Sequence, residues 1–369
     1  MNKLDKGIYD NVKNEYLDKM VPVVRAKYKK FRANSCTLFL NNSFDLKNIF
    51  ESNCVIDDKK IEKLLVSHFD EMDENIKNYI KTCTFAYLIT NKVYLLNKDI
   101  KKYFNCKDSK KAVQEYFNYF KNPILESYLK TGEVYDTMRS LQKVCTNLNE
   151  DLLKLNKQIG KFINYDYLYE EELRDKIIIT SGIDICPYCG RQFITRFKDR
   201  SSADLDHFFP KKYLPLLSLS LYNFIPSCQI CNSRFKSQHI KKILYPFDDG
   251  YENNAIFNVK YKSPITKIRP VIEIQIKNIS KDKYFETSED IKLFHIDEIY
   301  QSHNEFVADL LYRKHIYDNS TFKENINKLV PYDLDNEQMN ILLFGYSFDL
   351  EKDQNKPLGK LVNDIYNLF

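Results

Sequence analysis

Asp204-Leu205-Asp206-His207 lies between two Cys-x-x-Cys pairs, and Asn232 follows the second pair directly. The pairs are Cys186/Cys189 and Cys228/Cys231. These residue types imply two metals of different character. Four thiolates suit a closed, tetrahedral structural zinc site. Each two-residue spacing lets both sulfurs of a pair reach one ion, and about forty residues between the pairs leave room for an inserted hairpin and loop. The carboxylate of Asp206 and the amide oxygen of Asn232 are hard donors of the kind magnesium or manganese takes. His207, with an ordinary pKa near neutrality, can draw a proton from water. On a regular strand Asp206 and His207 point to opposite faces, so both serve one phosphate only if the strand end bends or the substrate lies across it.

The chain carries nine cysteines, an odd number, and no long apolar run. The N-terminus lacks the features of a secretory signal, so a reducing cytoplasm and metal ligation are expected rather than disulfides. Cys36, Cys54, Cys83, Cys106 and Cys145 follow no pairing pattern and read as small buried apolar residues. Between residues 186 and 245 ten Lys/Arg face three Asp, a local balance of +7 against +5 for the whole chain. Positive charge is thus concentrated where phosphate backbones would be met. Arg234, Lys236 and Lys211 are the candidate phosphate contacts, while part of the excess is the solvated surface of a Lys-rich protein.

The stretch from about 183 to 242 resembles the HNH, or ββα-metal, endonucleases. The residues that carry the resemblance are Cys186-Pro187-Tyr188-Cys189, Asp206-His207 with Pro210 three residues on, Asn223, Cys228-Gln229-Ile230-Cys231 and the closing Asn232. The wording of these motifs is most similar to a bacterial subgroup in anti-phage defence operons, including Septu and some retron systems. The resemblance implies that His207 is the general base and that Asp206 and Asn232 hold a catalytic Mg²⁺ or Mn²⁺. It implies that Asn223 positions the His207 imidazole or the loop behind it, and that Lys236 sits near the phosphate. Asn stands at the final position where many members have His.

The elements needed to position these residues are partly legible. Alternation over 193–197, a polar turn at 198–202 and a strand at 203–208 predict a hairpin. The three prolines in 210–226 predict a loop, and a helical pattern starts at Ile230. Residues 1–175 predict helices over 4–30, 58–70, 75–104, 109–130 and 134–164. In the last, Met138, Leu141, Cys145, Leu148, Leu152, Leu155, Ile159 and Phe162 form a seam that fits a coiled coil with a partner. An amphipathic helix packed on its own domain is the plainer reading. Strands are predicted at 255–261 and 270–276, with helices over 288–299, 300–317, 321–330, 335–344 and 357–368.

The expected architecture is therefore α+β and mostly helical. A central ββα-metal module with structural zinc (176–250) would sit between a helical positioning region (1–175) and a β-hairpin plus helices (251–369). The function expected is a cytoplasmic, metal-dependent endonuclease acting on DNA in bacterial defence. HNH chemistry uses no 2′-hydroxyl, so a ribonuclease acting on structured RNA such as tRNA is the first alternative. A non-catalytic zinc-knuckle module that binds nucleic acid or protein is the second. No P-loop motif is present, so nucleotide-driven control would need a partner ATPase; a homodimer is the other expected assembly, and no membrane contact is expected. His239 is a further phosphate-contact candidate. His295, His303 and His315 read as structural or surface residues, and no motif surrounds His68.

Overall fold

A computed structural model describes residues 1–33, 39–92, 100, 101, 104, 106–262, 271–317, 320–329 and 334–368. The fold is α+β, 54 % helical with small two-stranded antiparallel sheets, which matches the expected class. Helices run over Asp10–Arg32, Asp58–Val66, Glu74–Thr90, Ser109–Phe120 and Met138–Ile159 in the N-terminal region. Residues 93–99, 102 and 103 of the predicted 75–104 helix lie outside the described residues. Strands Ala255–Tyr261 and Ile272–Asn278 pair in register, close to the predicted positions, and Asn304–Tyr317, Asn336–Phe344 and Gly359–Asn367 are helical. Buried side chains from all three stretches of the chain join one hydrophobic core.

Local rules explain the helices that frame the site. Val12, Tyr16, Met20, Val24, Tyr28 and Phe31 recur every three or four residues and are buried, so Asp10–Arg32 turns one apolar stripe inward. Thr137 accepts from the Ser140 N–H, and the Thr137 N–H donates to the Ser140 hydroxyl, closing a capping box ahead of Met138–Ile159. Leu141, Cys145, Leu148, Leu152, Leu155, Ile159 and Phe162 are all buried in the chain's own core. The seam is therefore an internal surface, and the coiled-coil reading is corrected: an outside helix finds no apolar stripe there to cover. Accordingly, Leu148→Glu with Leu155→Glu is expected to lower the melting temperature steeply or cause aggregation, because two unpaired carboxylates would enter the core. Thermal melting with size-exclusion chromatography checks this; a folded double variant of altered oligomeric state would restore the partner reading.

The region expected to form the hairpin is rearranged. Only Arg196–Phe197 and Arg200–Ser201 pair there, around a turn that places Lys198 at φ 52°. The strand Asp204–His207 pairs instead with Phe224–Ser227, antiparallel, with His207 opposite Phe224 and Leu205 opposite Pro226. A two-stranded sheet has only edges, so a proline without an N–H is tolerated. The predicted loop 210–226 thus ends in a strand. The predicted helix at Ile230 is a seven-residue wide turn, Ile230–Lys236, in which the Ser237 N–H donates back to the Asn232 carbonyl. Such widened turns are rare and are often found at functional sites.

The helical region holds the connection between the two strands from behind. The Tyr9 hydroxyl donates to the Phe224 carbonyl at 2.8 Å, and the Tyr16 hydroxyl donates to that of Leu219. The Asn156 amide donates to the Tyr213 carbonyl at 2.9 Å. The C-terminal region braces the Cys186/Cys189 turn: the Tyr300 hydroxyl donates to the Cys189 carbonyl at 2.7 Å and the Leu358 N–H to that of Gly190. Gly190 has φ 63°, and a Cβ there would meet the Tyr300 hydroxyl at 3.2 Å, so the turn needs glycine on two counts.

Candidate functional site

The four cysteines expected as zinc ligands converge. Their sulfurs lie within 4.8 Å of one another, and Cys186, Cys189 and Cys231 are buried. Tetrahedral zinc–thiolate bonds of about 2.3 Å would set the sulfurs roughly 3.8 Å apart, so the set fits such an ion with small adjustments. Hydrogen bonds among the thiols, with Cys186 first, hold Cys189 and Cys228 below the ordinary thiol range and push Cys231 above it, while burial raises Cys186, so the four sulfurs share their protons unevenly when no ion is bound. Among the scattered cysteines Cys83 and Cys145 are buried, but Cys106 is only half-buried and Cys54 is exposed.

Beside this cluster a cleft of about 430 Å³ is lined by Asp204, Asp206, His207, Lys211, Lys212 and Asn232, and also by Tyr165, Tyr169 and Arg174. The strand is regular, so Asp204 and Asp206 share one face and His207 takes the other, yet all three reach the cleft. The His207 ring packs edge-on against Tyr165 and Phe224, at 4.8 and 5.2 Å between centroids. Its Nε2 lies 3.1 Å from the Ser218 carbonyl. A carbonyl only accepts, so Nε2 carries the proton and Nδ1 keeps the lone pair. Burial first, then the charges of Lys211 and Lys236, lower the His207 pKa to about 3 against the upward pull of the Ser218 bond. That direction favours the neutral ring, the form that can accept a proton, and makes it a weaker base than a free imidazole.

The carboxylates divide differently from expectation. Asn232 donates its amide to the Asp204 carboxylate at 3.0 Å, and the Ser233 hydroxyl reaches the same oxygen at 3.4 Å. Asp206 is 4 % exposed and is held by two other donors. The Tyr188 hydroxyl donates to its Oδ2 at 2.6 Å, and the Lys236 ammonium donates to its Oδ1 at 3.1 Å. Asn232 is thus brought to Asp204, a residue the sequence reading did not single out. The i, i+2 spacing of the two aspartates on one strand was the available signal. Asp204, Asp206 and Asn232 line one cleft and are residue types whose oxygens Mg²⁺ or Mn²⁺ takes, with the Lys236 ammonium lying against both Asp206 oxygens.

Lys236, expected at the phosphate, is 1 % exposed, also donates to the His207 carbonyl at 2.6 Å, and is not among the residues lining the cleft. Arg234 is exposed but does not line the cleft. Lys211 does line it, with its ammonium 4.6 Å from the Tyr165 ring centre. Asn223 is fully buried behind the cleft. Its Oδ1 accepts from the Phe209 N–H at 2.7 Å, and its Nδ2 donates to the carbonyls of Phe209 and Leu217 at 3.0 Å each. That clamp fixes the loop following His207. His239 is exposed and away from the cleft, with Nδ1 at 3.0 Å from the Tyr87 hydroxyl.

Tyr165, Tyr169 and Arg174 escaped the sequence reading. Arg174 donates to the Ala203 carbonyl at 2.6 Å and lies 6.0 Å from the ring of Tyr169, which is 58 % exposed. Exposed aromatics with nearby cations are what single-stranded nucleic acids stack on. The cluster Tyr165, Tyr169, Arg174 carries that pattern at the sequence level, but nothing local ties it to Asp206.

The chain is 29 % identical over 102 residues to Protein ea31 of Escherichia phage lambda, a match covering 24 % of this chain and 32 % of that protein. The match therefore spans about a third of the relative's length. No family model matches, and no solved structure matches. Among the described residues no helix is long and apolar enough to cross a membrane.

Proposed function

We propose that this chain is a metal-dependent endonuclease of the HNH type that hydrolyses phosphodiester bonds in DNA, in bacterial anti-phage defence. The observation that carries the reading is one cleft holding a neutral histidine with a free lone pair, three hard oxygen-donor side chains and exposed cations, next to four clustered cysteines. In this reading the cysteines hold a structural zinc that fixes the turn beneath the cleft. His207 Nδ1 takes the proton of an attacking water. Lys211, Lys212 and Arg174 bind flanking phosphates, contacts that position without reading sequence. Asp204, Asp206 and Asn232 hold a divalent cation, which when bound supplies Lewis-acid stabilisation of charge on the phosphate and the leaving oxygen. Asn223 keeps the His207 loop in place. Uncontrolled cutting would damage the host, so a partner ATPase or a second copy would restrain the enzyme from a surface other than the buried 138–162 seam.

One observation favours a non-catalytic module instead. The ammonium of Lys236 already balances Asp206, as in a purely structural buried ion pair. Incubating the zinc-loaded protein with plasmid DNA and with total RNA, with and without Mg²⁺ or Mn²⁺, separates the readings. Cation-dependent cleavage of the plasmid supports the DNA enzyme, cleavage of RNA alone supports the ribonuclease, and binding without cleavage supports the module.

A further inference from the structure

The zinc-ligand turn and the acidic face of the cleft are joined by a side chain that neither site requires for its own chemistry. Tyr188 lies between Cys186 and Cys189 and is fully buried. Its ring stacks on Phe294, with centroids 4.7 Å apart and planes 18° apart. The peptide groups on either side are fixed as well: the Pro187 carbonyl accepts from the Asn2 N–H at 2.7 Å, and the Cys189 carbonyl accepts from the Tyr300 hydroxyl at 2.7 Å. The hydroxyl that emerges from this rigid turn has one partner, the Asp206 carboxylate, at 2.6 Å. The Lys236 ammonium reaches both carboxylate oxygens, Oδ1 at 3.1 Å and Oδ2 at 3.0 Å. Asp206 therefore sits between a donor set by the cysteine cluster and a donor set by the Ile230–Lys236 turn.

We propose that Tyr188 is a positioning residue through which occupancy of the four-cysteine site sets the orientation of Asp206, and with it the cation affinity of the cleft. Without the hydroxyl, the Lys236 ammonium, already within 3.1 Å of both oxygens, would be the one remaining side-chain donor described on Asp206, and the carboxylate plane would no longer be fixed toward the cleft. Without metal at the cysteines, the backbone that aims Tyr188 loses its tether, and the same release follows. The inference rests on the cation site of the nuclease reading, but not on cleavage. Partners that orient a ligand from behind are worth about ten- to a hundred-fold in metal affinity.

The test is Mn²⁺ binding to the zinc-loaded full chain, read from the electron paramagnetic resonance signal of free Mn²⁺, for wild type and Tyr188→Phe. The variant keeps the ring and its stack on Phe294. It is expected to retain its zinc and its helical signal while its Mn²⁺ dissociation constant rises about ten-fold or more. A variant that binds Mn²⁺ as wild type does overturns the inference. A second measurement covers a variant that loses zinc: wild type is stripped stepwise with a chelator, and Mn²⁺ binding is expected to fall in step with zinc while the circular dichroism of the helices persists. Mn²⁺ affinity that survives zinc removal overturns the inference. A wild type that binds no Mn²⁺ overturns it together with the nuclease reading. A Tyr188→Phe effect on Mn²⁺ binding in a protein that cuts no nucleic acid retains the inference and removes the nuclease reading alone.

Discussion

His207→Ala is expected to abolish cleavage while leaving the fold and nucleic-acid binding nearly intact. A positioned base contributes about 10²–10⁴ to the rate through the transition state. Its removal deletes one hydrogen bond to the Ser218 carbonyl and edge contacts of a half-buried ring with Tyr165 and Phe224. The melting temperature should therefore change by a few degrees at most, and retention on a DNA column should persist. Cleavage of labelled DNA by the purified variant, beside its melting curve, checks both halves. Wild-type activity in a rigorously purified His207→Ala protein would remove His207 from the mechanism.

Cys186→Ser is expected to act the other way, on the structure first. Apparent binding energies for structural zinc in small modules are about 10–16 kcal/mol near neutral pH, and that energy is folding energy. Cys186 is buried, and the turn it closes supports Tyr188, Gly190 and the peptides that contact Asn2, Tyr300 and Leu358. The substitution should release zinc, lower the melting temperature and solubility, and remove activity as a consequence. Metal analysis after extensive dialysis should find about one zinc per chain in wild type and much less in the variant. A Cys186→Ser protein that keeps its zinc and melts like wild type would show that the ligand set is wrong.

The cysteine cluster was legible because metal spacing is local: two residues between ligands bring each pair to one ion wherever the chain then goes. The buried stripes of Asp10–Arg32 and Met138–Ile159 were legible for a similar reason, since helical period is written in a single segment. The sheet carrying Asp206 and His207 was not. Local alternation favoured 193–197 as its partner, and Pro226 argued against 224–227 as a strand. The actual pairing is decided by burial of Leu205, Phe224 and Ile225, a long-range effect. The resemblance, together with local charge, placed Lys236 near the phosphate, yet the wide turn carries its ammonium inward to Asp206. The pairing of Asn232 with Asp204 and the wall of Tyr165, Tyr169 and Arg174 depend on tertiary placement, which no local pattern encodes.

The central claim is that this cleft performs cation-dependent phosphodiester hydrolysis. It is tested most directly by the conversion of supercoiled plasmid to nicked or linear forms by the zinc-loaded wild-type protein, with Mn²⁺ added or withheld. The account expects conversion with Mn²⁺ and none without it, under conditions in which zinc stays bound. Plasmid that remains supercoiled at saturating Mn²⁺, alone and together with the protein's operon neighbour, or that is cut equally well without any added cation, would contradict it.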